Sequence, residues 1–175
     1  MTMRMSRPAA VVVALALAVA GCGKAFGGRV VYQGDYPSYQ SAAELLAKAT
    51  LVIEATPARP RVDKLYPSGG SRDQDTGIVI TVYAATVTKV HKGDRKPGDV
   101  VDVQQMGGLF DGVSYEQEGG VPFRQGTTYL LFLETFPDAP AALLNPTQAQ
   151  YEVALDGSYR TVTDANTITV HGDDL

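Results

Sequence analysis

Tryptophan is absent from the 175 residues, and cysteine occurs once, as Cys22. A single thiol excludes an intramolecular disulfide and any cysteine-rich zinc or iron–sulfur site. Histidine is nearly as scarce, with only His91 and His171. The chain has no His-Glu-x-x-His, no Gly-x-Ser-x-Gly and no Walker-type glycine loop, so the common zinc-hydrolase, serine-hydrolase and nucleotide-phosphate signatures are missing. Basic charge is in short supply too. The formal net charge of −4 argues against nucleic acid as the main partner. No apolar run reaches the roughly 20 residues that a membrane-spanning helix needs. What is present suffices for a core: 45% of residues are hydrophobic and 19% charged, in a length suited to one ordinary domain.

Arg4 and Arg7 precede an unbroken run of Ala, Val and Leu from Ala9 to Ala20. A short basic region followed by an apolar stretch of this length reads as a secretory signal. The run ends in Val19-Ala20-Gly21-Cys22, which resembles the lipobox of bacterial lipoproteins. The resemblance implies that residues 1–21 are a signal peptide and that Cys22 receives a diacylglyceryl thioether. A signal peptidase would then cut before Cys22. The mature chain would be held outside the cytoplasm on a bacterial cell membrane or outer membrane. Several acyl chains, at about 0.8 kcal/mol per buried methylene, make a stable anchor. Loss of Arg4 and Arg7 would move the formal net charge from −4 to −6.

Residues 22–39 read as the lipidated cysteine and a tether. Glycines 23, 27, 28 and 34 suit a spacer, but Tyr32, Tyr36 and Tyr39 do not. Its second half is therefore expected to touch the domain, which is read as residues 40–171. Ser41-Ala42-Ala43-Glu44 is a capping-box pattern and predicts a short helix over Ala42–Ala49. After it the chain reads as β. Leu51–Ala55 is a strand expected to stop at Pro57 and Pro60. Along Ile78–Val90 the apolar residues change phase, with Ile78, Ile80, Val82 and Ala84 on one face and Val87 on the other, which predicts a bulge. Val101 and Val103 alternate with polar residues, whereas Tyr129–Leu133 is apolar throughout and predicts a strand buried on both faces. Tyr151–Leu155 and Tyr159–Val162 flank the turn Asp156-Gly157-Ser158, and Thr167–Val170 reads as a last short strand. Three connections look long: Thr56–Gly77, Met106–Thr127 and Thr135–Gln148. The expectation is a mainly β fold, a small closed or partly open barrel with one short N-terminal helix.

Ala49-Thr50-Leu51-Val52-Ile53-Glu54-Ala55, then Val82–Val90 running into Lys92-Gly93, then Val101-Asp102-Val103, then Gln125-Gly126-Thr127-Thr128-Tyr129-Leu130-Leu131-Phe132 follow one another in this chain. That order is similar to the netrin-like domains, which include the tissue inhibitors of metalloproteases. Over about residues 41–134 the resemblance implies an OB-like five-stranded barrel with helical decoration. Those inhibitors carry several disulfides and an N-terminal cysteine that chelates the target's zinc. This chain has neither, so no inhibitory residue carries over, and a shared fold does not by itself supply a function.

His91, at a strand end, and His171, in the tail, read as structural rather than catalytic. Asp73, Asp75, Asp111, Glu116 and Glu118 lie in glycine-containing stretches. Asp73-Gln74-Asp75-Thr76-Gly77 has part of a calcium loop but no downstream bidentate Glu. No metal or cofactor is expected. Charge is uneven along the chain. Residues 23–96 hold 11 basic and 7 acidic groups, and residues 97–175 hold 2 and 12. A barrel is expected to interleave the two halves. The function expected is a membrane-anchored, extracytoplasmic, non-enzymatic binding module working through Pro57–Gly77 and Met106–Gly126. Arg59, Arg61, Tyr66, Arg72, Asp111, Tyr115 and Glu116 are its candidate contacts. Its partners would be membrane lipid, through acylated Cys22, and an envelope protein or glycan, not nucleic acid. The alternatives are a small envelope hydrolase using loop carboxylates and a passive structural lipoprotein.

Overall fold

Residues 27–66 and 77–175 are described by the computed structural model; Cys22, the lipobox residues Val19, Ala20 and Gly21, Arg72, Asp73 and Asp75 lie outside the described residues. In chain order the elements are β1 (Gly28–Tyr32), α1 (Ala42–Lys48), β2 (Leu51–Leu65), β3 (Ile78–Lys92), β4 (Val100–Phe110), β5 (Val113–Gln117), β6 (Tyr129–Glu134), β7 (Ala141–Leu143), β8 (Gln150–Val153) and β9 (Tyr159–Thr161), with a 3-10 turn at Gly172–Asp174. Among the described residues the fold is mainly β with one α-helix, as the sequence predicts.

Five strands close on themselves. β2 pairs with β3 and β3 with β4, both antiparallel. β7 runs parallel to β4 and antiparallel to β6, and β6 returns to β2. This barrel-like ring removes the free edges those strands would otherwise present. Its interior holds Ile53, Tyr83, Ala85, Val87, Val103 and Leu131 among others. β6 explains its own composition. Tyr129, Leu131 and Leu133 point into the ring, while Leu130 and Phe132 point outward under Leu45, Ala49, Ile168 and Val170. Both faces are covered from Tyr129 to Leu133, which accounts for the unbroken apolar run, and only the terminal Glu134 is exposed.

α1 supplies part of that outer cover. Ser41 Oγ accepts from Glu44 N at 3.2 Å, and Glu44 Oε2 accepts from Gln40 N at 2.8 Å, one residue earlier than an ordinary capping box. Lys92 Nζ donates to the carbonyls of Leu46 and Ala47 at the helix C-terminus. Ile168 and Val170 alternate with exposed Thr167 and Thr169, yet this segment packs without joining a ladder.

The largest difference from the sequence reading lies in β2. Pro57 and Pro60 do not stop it; the strand runs on to Leu65. Beyond Ala55 it pairs with β3 alone, and a strand with a free edge accommodates proline. Ala58 opposes Ala84 and Arg61 opposes Val82, so Arg59 and Pro60 bulge opposite Tyr83, with Arg59 at φ 47. The bulge expected between Ala84 and Val87 is not there: the register with β2 is unbroken over that stretch and Tyr83, Ala85 and Val87 all join the ring core, and the shifts come later, at Thr88 and His91. Bulging lets two long strands leave the ring and continue as a sheet arm.

β1 falls in the stretch read as tether. It lies parallel to β5, from Gly28 beside Val113 to Tyr32 beside Gln117, and forms the outer edge of the arm in the order β1-β5-β4-β3-β2. All three tyrosines of this stretch touch the domain, as expected. Tyr32 stacks on Tyr115 at 5.7 Å, Tyr36 bonds Gln117, and Tyr39 is buried against the helix side of the ring.

Candidate functional site

At the mouth of the ring, β4 changes character. Val101 and Val103 point inward, and Gln105 follows them two residues on. Gln105 Oε1 accepts from Phe123 N at 3.1 Å, and its Nε2 donates to the Val121 carbonyl at 3.0 Å. Buried Gln150 donates to the same carbonyl at 2.9 Å. The two amides stitch residues 121–123 across the opening. Phe123 then plugs it, with its ring 5.1 Å from those of both Tyr83 and Tyr129. Hydrogen bonding of buried Gln150 and half-buried Gln105 to backbone makes the plug a fixed wall.

Past Met106, Gly107 and Gly108 take φ 104 and 140, which L side chains rarely adopt, and the strand bends outward. A Cβ on Gly107 would lie 2.5 Å from the Tyr115 carbonyl oxygen, so only glycine lets β4 approach β5 this closely. Asp111 at φ 48 and Gly112 at φ 78 make the tight turn between them. Between the bend, β5 and residues 120–122 lies a hollow of about 460 Å³, walled by Thr81, Tyr83, Ser114, Tyr115, Glu116 and Gln117 among others. Tyr115 and Glu116, both candidate contacts, line it. Arg29 donates to Glu116 at 2.6 Å and holds that carboxyl below the usual carboxylate range. The side chains of this pair are 67% and 45% exposed, so it fixes position more than it stabilises.

The other candidate contacts lie elsewhere. Arg59 sits exposed on the β2 bulge, Asp111 at the tip of the β4–β5 turn, and Tyr66 at the end of β2 against Gly77. Arg61 forks onto Asp102, its closer contact 2.7 Å, beside a separate hollow of about 500 Å³ that reaches Phe136. Arg29 and Arg61, from the basic half of the chain, are thus paired with carboxylates of the acidic half, and the two fields interleave. Among the described residues no three His, Cys, Asp or Glu side chains gather as a metal-binding group, and no helix is long and apolar enough to cross a membrane.

One cluster escaped the sequence reading. Tyr159 donates to Glu54 Oε1 at 2.7 Å, His91 Nε2 lies 3.1 Å from the same oxygen, and Lys89 Nζ is 3.6 Å away. The side chains of His91 and Glu54 are only 7% and 14% exposed. Burial pushes the Glu54 carboxyl up, but the bonds from Tyr159 and His91 and the charge on Lys89 outweigh it and hold the group below its ordinary range. Burial and the adjacent carboxylate push the Tyr159 hydroxyl far up. The cluster lines none of the hollows above and ties β9 to β2 and β3. A carboxyl with a depressed pKa stabilises the fold above the ordinary carboxylate range and ceases to do so as pH falls through its folded value. Glu54→Gln is therefore expected to cost about 1–3 kcal/mol at neutral pH. Urea unfolding at neutral pH and at about pH 3 should show the gap to wild type closing in acid. A gap that stays constant would refute the assignment.

Nothing among family models, curated proteins or solved structures matches this chain.

Proposed function

We propose that this chain is a bacterial lipoprotein, held extracytoplasmically by acylated Cys22, whose domain is a non-enzymatic binding module. The observation that carries the reading is the hollow at the ring mouth. It is concave, built on a wall pinned by Gln105 and buried Gln150, and lined by both aromatic and hydrogen-bonding groups. Ligand sites commonly have this mixture, with a few placed polar groups on an otherwise apolar surface. The netrin-like reading draws support from the five-stranded ring with α1 on its outside. The hydrolase alternative draws none from the loop carboxylates. Asp111 is at the turn, Glu116 is engaged by Arg29, and among the described residues no third acid joins them in a metal-binding group.

The occupant of the hollow is an envelope protein segment or a glycan. Ser114→Trp fills the hollow from an exposed-side strand without touching the ring core. Detergent-solubilised envelope is passed over the lipidated protein, the variant and a tether-only control. The expected result is a partner enriched on wild type and weakened at least about tenfold, or 1.4 kcal/mol, on the variant. Equal capture by both would remove the hollow as the site. Capture no greater than the tether-only control would favour the passive structural reading.

A further inference from the structure

Because β1 is parallel to β5, it begins where β5 begins, beside the Asp111-Gly112 turn; Gly28 lies opposite Val113. β2 and β3 reach the same end of the arm, with Leu65 opposite Ile78. The N-terminal chain thus enters at the tip of the arm, not at the ring. Five residues separate Cys22 from Gly28. Even fully extended, the six steps between their Cα atoms span only about 20 Å.

The arm also carries exposed apolar surface. Among the described residues seven large hydrophobic side chains are exposed, and four of them are on the arm: Val30, Val31, Val62 and Leu109 at 39%, 47%, 41% and 69%. Lys64 lies over the Phe110 ring at 4.7 Å, which places a cation next to an aromatic ring at the tip, a pairing suited to a headgroup layer. Asp63 and Asp111 lie close by in the chain. Among the described residues the tip is therefore not a basic patch, and apolar partition rather than attraction to anionic lipid would hold it.

We infer that the tip of the arm is a membrane-facing surface that seats Leu109 in the bilayer interface. The inference rests on the anchoring of Cys22 proposed above and adds an orientation to it: arm down, ring away. Leu109 also forms part of the rim of the hollow, so the hollow opens close to the headgroup plane and its ligand is met at the lipid surface.

The lack of tryptophan makes the test direct. Leu109→Trp and Leu155→Trp each introduce one indole, the second on the β8–β9 turn at a fully exposed position. Each full-length variant is matured in cells, purified and reconstituted in phosphatidylcholine vesicles with brominated acyl chains. The Leu109→Trp emission should be blue-shifted and quenched, and that of Leu155→Trp neither, independently of salt. Equal quenching of both, or of Leu155→Trp alone, overturns the inference. Mass analysis of the same samples separates the two readings. An unacylated Cys22 overturns both, whereas acylated protein with an unquenched indole at 109 overturns the orientation alone.

Discussion

Cys22→Ser is expected to abolish acylation and, with it, the cut before residue 22, so that the chain accumulates with residues 1–21 attached. Mass spectrometry of the N-terminal peptide reads this as all or nothing: acyl mass in wild type, none in the variant. The effect is large because the proposed anchor resides in a single atom. Each buried methylene of an acyl chain contributes about 0.8 kcal/mol, and one chain alone binds only marginally, so two or three are needed for lasting attachment. No other thiol exists to take the lipid. A mature wild-type N-terminus at any residue other than Cys22, or an unmodified Cys22, would refute the lipobox reading.

Gly107→Ala is expected to lose about 2–5 kcal/mol, by adding backbone strain to a steric conflict. The strain comes from φ 104, and the conflict from a Cβ placed 2.5 Å from the Tyr115 carbonyl. The obstacle is backbone, so it yields only if β5 moves, and β5 carries Ser114, Tyr115 and Glu116 on the wall of the hollow. Gly98→Ala is the control. Its φ is 93 but nothing lies within 4 Å of the added carbon, so it should lose only about 1 kcal/mol. Denaturant midpoints of the two variants separate strain from contact. Equal losses would mean that β4 and β5 are not held as closely as described.

What the sequence makes legible is whatever a single segment states by itself. The unbroken apolar run of β6, the Ser41–Glu44 cap and the turn at Asp156-Gly157 each follow from local pattern. β2 does not, because two prolines ordinarily end a strand, and only its one-sided pairing beyond Ala55 makes them tolerable. β1 is opaque for another reason: a strand of five residues among glycines exists only through its partner β5. The candidate site is split in the same way. Tyr115 and Glu116 reach the hollow because the stretch read as a loop is a hairpin. Asp111-Gly112 between apolar flanks is the signal for it, hidden by the glycines on either side. Arg59 and Arg61 stay away from the hollow because their loop is likewise strand. Glu54, His91 and Tyr159 come from three strands, and no spacing along the chain announces their meeting.

The parallel pairing of β1 with β5 also has a mechanical meaning. With Cys22 held and a partner seated in the hollow, tension enters β1 at Gly28 and runs along the strand axis. Ladder bonds loaded this way slide against one another and resist together, whereas a strand peeled sideways surrenders them singly. The far end is bolted as well: the Tyr32 hydroxyl accepts from Val79 N at 3.0 Å, and its carbonyl accepts from Glu118 N at 3.0 Å. Under load the joint between tether and domain would give way only when the whole five-residue ladder shears, so in a chain anchored as proposed the edge strand would serve as the strain relief of the cable.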